Sequence, residues 1–266
     1  MSDIKPVTNF PWQPQSTITG NLAIGNLREN LLKRLRDERG VHAETLVTAI
    51  GALAGFAAQN AALNRAATMT SQQADLPQFF NGLVLVGTKS GEQYLFGDWI
   101  NVHLFNDPGS QFPLYGLVAA SAIQIGVNRK DLPDYGEIAR YVVSVIGGPE
   151  FGKIRAPVDH QPIVQPLEIL RKLWPFTCEI LRLPLPKSIP SGVEPPLQET
   201  YWPIIISIVA SQFLVLAKDA LNPRISFALA MESAVIASKI NPEIIEPGKW
   251  KIEASAGKLK VTRLIN

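Results

Sequence analysis

The chain has 266 residues, of which 46% are hydrophobic and 18% charged, and its net charge is +2. This length allows one large domain or two small ones, and the charge balance excludes a protein-wide field that gathers nucleic acid or anionic lipid. The single cysteine, Cys178, excludes an intramolecular disulfide and a cysteine-based metal site. We therefore expect a cytoplasmic protein.

The N-terminal segment, residues 1–20, predicts a flexible arm, because it contains three prolines among polar residues and no apolar run of a secretion signal. An amphipathic helix is predicted over 21–38, where Ile24, Leu27 and Leu31 recur at helical spacing. Gly40 is expected to stop this helix.

A second helix is predicted over 42–65, and it has two apolar faces. One is nearly smooth, since Gly51 and Gly55 lie on it among alanines. Each interior glycine costs about 1 kcal/mol relative to alanine. A close approach of another helix backbone would offset this cost, so we expect the helix at the centre of the core.

The middle of the chain predicts a β-hairpin and several shorter helices. The hairpin pairs 83–86 with 93–96, and its first strand is apolar on both faces, so we expect it to be covered on both sides. Four helices should follow: 99–105 capped by Asp98, 113–127, one begun by Asp134 and ended by Gly147, and one begun by Pro166 that kinks or ends near Pro175.

The proline-rich segment 184–203 is interpreted as a strap over the surface, with a domain boundary as the alternative. An antiparallel helix pair over 201–221 and 223–240 should follow it. The tail then predicts a second hairpin with a lysine-rich face that includes Lys249 and Lys251. The fold class is accordingly α+β, predominantly α-helical, with a helical core and two short β-hairpins in a single domain, 21–266.

Two uncharged stretches, 45–64 and 201–217, raise the question of a membrane. The first is rich in alanine and glycine and contains amides, and the second is shorter than the ~20 residues that span a bilayer. We interpret both as buried helices and expect no membrane association. The alternative is membrane association through 201–217.

Known catalytic motifs are absent: the sequence has no nucleophile elbow, zinc-protease helix motif or dinucleotide fingerprint. The run 82–89 has the glycine spacing of a phosphate-binding loop. However, its interior forms a strand, its lysine and threonine are inverted, and no helix follows. We expect no cofactor and no metal.

Five residues are weak catalytic candidates. His42 could act as a general base oriented by Glu44 or Asp98, and His103 lies on the short helix after Asp98. Local hydrogen bonding is the simpler interpretation of each. The spacing of His42 and Glu44 would place them on different sides of a helix, where they could not readily chelate one metal.

Glu232 is the fifth candidate, because it shares a helical face with apolar residues. A carboxylate in that position is either paired in the core or has a raised pKa in a pocket. His160, in a proline-rich loop, is interpreted as a loop contact rather than a site.

Three segments resemble signatures of a family of uncharacterised bacterial proteins: 39–46 (RGVHAETL), 96–98 (FGD) and 148–152 (GPEFG). The resemblance spans about 21–240. It implies a bacterial cytosolic protein and carries over no functional residue.

Three functional hypotheses remain, one of which is the membrane association through 201–217 given above. The first is a non-catalytic binding or interaction module, which predicts an exposed apolar patch or a homodimer over the smooth helix face. The second is an enzyme of unrecognised type, which predicts that at least two of His42, Glu44, Asp98 and His103 converge within hydrogen-bond reach in one cleft. No nucleic-acid partner is expected.

Overall fold

The computed structural model describes residues 17–71, 82–105, 112–183, 197–255 and 258–264. Within them lie eight α-helices and three two-stranded antiparallel sheets, which confirms the predominantly helical α+β class. The predicted arm is described only from Thr17 onward, and most of the predicted strap, 184–196, lies outside the described residues.

The helices are α1 (Ile18–Arg34), α2 (Ala43–Ser71), α3 (Asp98–Leu104), α4 (Leu114–Gln124), α5 (Tyr135–Ser144), α6 (Pro166–Leu181), α7 (Trp202–Ala217) and α8 (Pro223–Lys239). The strands are β1 (Arg36–Asp37), β2 (Gly40–Val41), β3 (Val84–Gly87), β4 (Gln93–Phe96), β5 (Trp250–Ser255) and β6 (Lys258–Arg263).

The central helix α2 confirms the main prediction from the sequence. Every residue from 44 to 63 is buried. A Cβ atom added to Gly51 would overlap the backbone of Ala230, and one added to Gly55 would overlap the backbone of Ala234. The side chain of Gln59 donates to the carbonyl of Ser238 at 3.0 Å. Contacts therefore advance in the same order on both helices, so α2 and α8 run parallel with their backbones touching.

This packing removes the predicted homodimer interface, because α8 of the same chain covers the smooth face of α2. Two further helices, α6 and α7, also pack on α2. α6 does not end at Pro175, one of the two predicted outcomes, and continues to Leu181. A helix can continue past a proline when tertiary packing offsets the lost hydrogen bond.

Three local predictions were wrong. The first helix ends at Arg34 rather than at 38, because 36–41 forms a small hairpin in which the Asp37 carboxylate accepts from the Arg39 N–H at 2.8 Å. Asp98 does not cap α3, since Gly97 occupies that position and Asp98 is the first helical residue. The strand β3 is not covered on both sides, because Val86 is exposed.

The C-terminal hairpin of β5 and β6 forms as predicted, but Lys249 is not on an exposed lysine face. It is 6% exposed, and its ammonium group donates to Asn60 at 3.0 Å and to Glu246 at 2.9 Å. Strand alternation indicates which residues share a face but not which face another element covers, so the pattern could not reveal this burial.

Candidate pocket beside α8

The first half of α8 borders a concave pocket of about 280 Å³. The opposite wall is the loop 154–157, and Pro133 closes one side. Asn222 caps α8 by accepting from the Arg224 N–H at 2.9 Å, so the helix begins at the edge of the pocket. The pocket lies on a face of α8 that does not pack against α2.

Glu232 lies at the floor of this pocket and is 3% exposed. Its carboxylate accepts a short hydrogen bond from the backbone N–H of Arg155, and its second oxygen lies 3.6 Å from Nε of the same residue. Burial raises the pKa of Glu232, and the hydrogen bond and positive charge of Arg155 only partly oppose this rise. Both predicted environments therefore hold, since the carboxylate is paired and also faces a pocket.

Two arginine residues line the pocket, and their guanidinium groups differ in their surroundings. That of Arg155 is held in place, because it lies 4.3 Å from the centre of the Tyr141 ring as well as beside Glu232. That of Arg224 is exposed and makes no ion pair with the described acidic side chains. The walls between them are apolar and include Ile225, Ala228 and Leu229.

The pocket wall belongs to a longer segment, 149–165, which we call the bridging loop. Its second attachment is at the start of α2, where His160 Nδ1 lies 3.0 Å from the Glu44 carboxylate. The backbone N–H of Ile163 also donates to the Thr45 hydroxyl at 2.9 Å. The bridging loop thus joins the first turn of α2 to the pocket face of α8.

Glu44 also contacts His42, whose Nε2 lies 3.4 Å from the second carboxylate oxygen. The predicted separation of these two residues is wrong, because His42 precedes the helix and its Nδ1 accepts from the Thr45 N–H at 3.3 Å. Burial alone would raise the pKa of Glu44, but the hydrogen bond with His160 and the charges of both histidines lower it.

The other predicted site residues lie elsewhere. Asp98 is exposed, and no contact connects it to His42 or Glu44. Burial and the neighbouring charge of Arg65 lower the pKa of His103 to about 4. Arg65 is 21 residues after Glu44 on α2, which corresponds to about 30 Å. Of the four residues named in the enzyme hypothesis, only His42 and Glu44 come together.

The sequence did not identify Arg155 and Arg224 as site residues. Arg155 meets Glu232 across 77 positions of chain, and Arg224 is one charged residue at a helix start. Arg155 lies near Lys153 and Pro157, in a sequence that is typical of a surface loop and gives no sign of a site. In the described part of the chain, no group of three or more His, Cys, Asp or Glu side chains could hold a metal ion.

Among the residues that the structure describes, two helices are long and apolar enough to cross a membrane, at 43–70 and 199–217. The apolar window of the first is wholly buried inside the protein, and that of the second is 61% buried. Core helices of soluble proteins share these properties, so they do not establish a membrane span.

Comparisons with known proteins found no relatives. No protein-family model, curated protein sequence or solved structure matches this chain. The pocket and the contacts around Glu44 therefore carry the functional argument.

Proposed function

We propose that this protein is a non-catalytic binding protein, and that it binds a small organic molecule in the pocket over Glu232. The supporting observation is the pocket itself, which is lined by a buried carboxylate, two arginine residues and an apolar wall. Ligand sites are typically concave and largely apolar, with a few convergent polar groups and a perturbed pKa. A volume of about 280 Å³ is at the low end for such sites, which favours a small ligand.

The test is a thermal-shift screen of a library of small organic acids, amides, amines and alcohols, followed by calorimetry of the hits. The variant Ala228→Phe fills the pocket without removing a charge, and Ala254→Phe places the same substitution at an exposed position of β5, outside the pocket. We expect saturable binding that Ala228→Phe abolishes and Ala254→Phe preserves. Hits that bind Ala228→Phe as tightly as the wild type, or no saturable hit, would contradict the proposal.

An acid–base enzyme is the second candidate, and the contact of Glu44 with His160 favours it. A carboxylate that orients an imidazole is a common arrangement for a general base. The adjacent hydroxyl, on Thr45, is 6% exposed and accepts from the Ile163 N–H, so a substrate has little access to it. To test this candidate, each compound of the library is incubated with the wild type and with His160→Gln, and product formation is measured. Product that forms with the wild type and not with the variant would favour an enzyme over a protein that only binds.

We also propose that the protein is soluble and cytoplasmic. Its one cysteine is buried and free, and burial raises the pKa of Cys178 to about 12, so its reactive thiolate is scarce. Expression without detergent should leave the protein in the supernatant after ultracentrifugation. Light scattering on that fraction distinguishes a monomer from a homodimer, and recovery only in the membrane pellet would contradict the proposed location.

A further inference from the structure

The pocket has an uneven distribution of charge that bears on its ligand. Of the described residues that line it, Arg155 and Arg224 are basic and Glu232 is acidic. The guanidinium of Arg155 is already engaged by Glu232 and Tyr141. That of Arg224 has no acidic partner among the described residues, so it is the group available to an incoming anion.

We propose that the ligand is a small organic monoanion, in which a carboxylate binds Arg224 and a compact apolar chain enters the pocket. This inference rests on the proposed binding function. The apolar chain would contact Ile225, Ala228 and Leu229, which supply the apolar wall. A guanidinium group binds a planar carboxylate through two parallel hydrogen bonds, which gives orientation as well as affinity.

The restriction to one charge comes from Glu232. A second carboxylate at the far end of the ligand would enter the buried end of the pocket, where Glu232 lies with only Arg155 as its cationic partner. Two like charges within a few ångströms at a partly buried site repel strongly, because water screens them poorly. Glu232 is thus a specificity-determining residue that excludes dianions, and its neutral analogue should admit them.

Three probes with the same carbon chain test this inference: valerate, its neutral amide valeramide, and the dicarboxylate glutarate. By calorimetry at neutral pH we expect valerate to bind the wild type at least about tenfold more tightly than either of the others. Arg224→Gln should remove the preference for valerate over valeramide. Arg171→Gln, which changes an exposed arginine on α6 outside the pocket, should leave it intact.

Glu232→Gln should raise the affinity for glutarate at least about fivefold and change that for valerate less. Circular dichroism and the Tm of each variant establish that it is folded. Equal binding of valerate and valeramide, or an unchanged glutarate affinity in folded Glu232→Gln, would overturn the inference.

The two proposals fail in different ways. If library hits depend on the pocket but none is an anion, the ligand class is wrong and the binding function stands. If valerate binds equally to wild type and Ala228→Phe, it binds outside the pocket and the ligand inference is wrong. The binding function is wrong only if every library hit also binds Ala228→Phe as tightly as the wild type, or if no hit saturates.

Discussion

The two faces of α8 have opposite roles although both carry small residues. Toward α2, the backbone around Ala230 and Ala234 lies directly against Gly51 and Gly55, so no space remains for a side chain. Toward the bridging loop, Ala228 and Glu232 border a cavity of about 280 Å³. The comparison shows that α8 packs closely where the partner helix is also smooth, and borders a pocket where the partner is a loop.

The largest expected effect is on the packed face. Gly55→Leu should reduce the free energy of unfolding by at least about 4 kcal/mol or prevent folding, because the new side chain would overlap the backbone of α8. Gly25→Leu is the matched control, since a Cβ at Gly25 meets no atom within 4 Å. It should be neutral or stabilise by up to about 1 kcal/mol through helix propensity. If urea unfolding gives the same free energy of unfolding for Gly55→Leu and Gly25→Leu, the close packing of α2 against α8 is refuted.

A second, partly buried carboxylate, Glu199, sharpens the comparison with Glu232. It pairs with Arg182 at 2.6 Å and Arg263 at 3.0 Å, and Lys249 lies 3.6 Å away. Burial alone would raise the pKa of Glu199, but the hydrogen bond from Arg182 and these charges lower it to about 2. Glu199 is thus surrounded by cations and contributes to stability, whereas Glu232 contacts one cationic residue, Arg155, and lines a pocket.

Glu199→Gln should therefore cost about 3 kcal/mol of unfolding free energy at neutral pH. The depressed folded-state pKa means that this contribution is present above the unfolded-state pKa, near 4.5, and is lost as the pH falls toward 2. Urea unfolding across that range should show the wild type and the variant converging. Glu168→Gln, in an exposed pair with Lys172, should cost under about 0.5 kcal/mol. If the difference in unfolding free energy between the wild type and Glu199→Gln does not change with pH, Glu199 does not act through its charge.

A smaller effect is expected where the bridging loop meets α2. His160→Gln should cost about 1 kcal/mol, because it weakens one partly exposed hydrogen bond to Glu44. Amide exchange at Ile163 should become faster, since its N–H is bonded to Thr45 in the same attachment. Asp159→Asn, on an exposed neighbour, is the control. Unchanged exchange in His160→Gln would mean that the loop is held elsewhere.

The smallest effect on stability is expected at the pocket face. Glu232→Gln should change the unfolding free energy by under about 1 kcal/mol at neutral pH, with the variant equal to or more stable than the wild type. Because the folded-state pKa of Glu232 is raised, its stabilising contribution is present below the unfolded-state pKa and is lost as the pH rises through the folded value. The free energy of unfolding of the wild type should therefore rise relative to that of Glu232→Gln as the pH is lowered. A cost above about 3 kcal/mol at neutral pH would identify a structural ion pair instead.

The sequence predicted those features whose cause is local. Gly51 and Gly55 recur at helical spacing, so their close packing leaves a periodic trace. Glu232 was recognisable because a carboxylate interrupts an apolar helical face. The position of His42 was missed because the helix begins one residue later, which places the ring outside the helical pattern.

The partners of these residues could not be predicted, because tertiary contacts join distant segments. Arg155 meets Glu232 only through the path of the bridging loop, and Glu199 gathers cations from α6 and the C-terminal hairpin. Each of these charges is ordinary in its local sequence. Propensity and periodicity describe single elements and do not specify which elements face each other.

The most direct test of the central claim uses methyl NMR of alanine-labelled protein during titration with valerate and valeramide. Ala228 on the pocket face and Ala234 on the packed face lie on the same helix, so they serve as an internal pair. The pocket proposal predicts a saturable shift of the Ala228 methyl signal and an unchanged Ala234 signal. Ligand binding that shifts Ala234 and leaves Ala228 unchanged, or shifts neither, would contradict it.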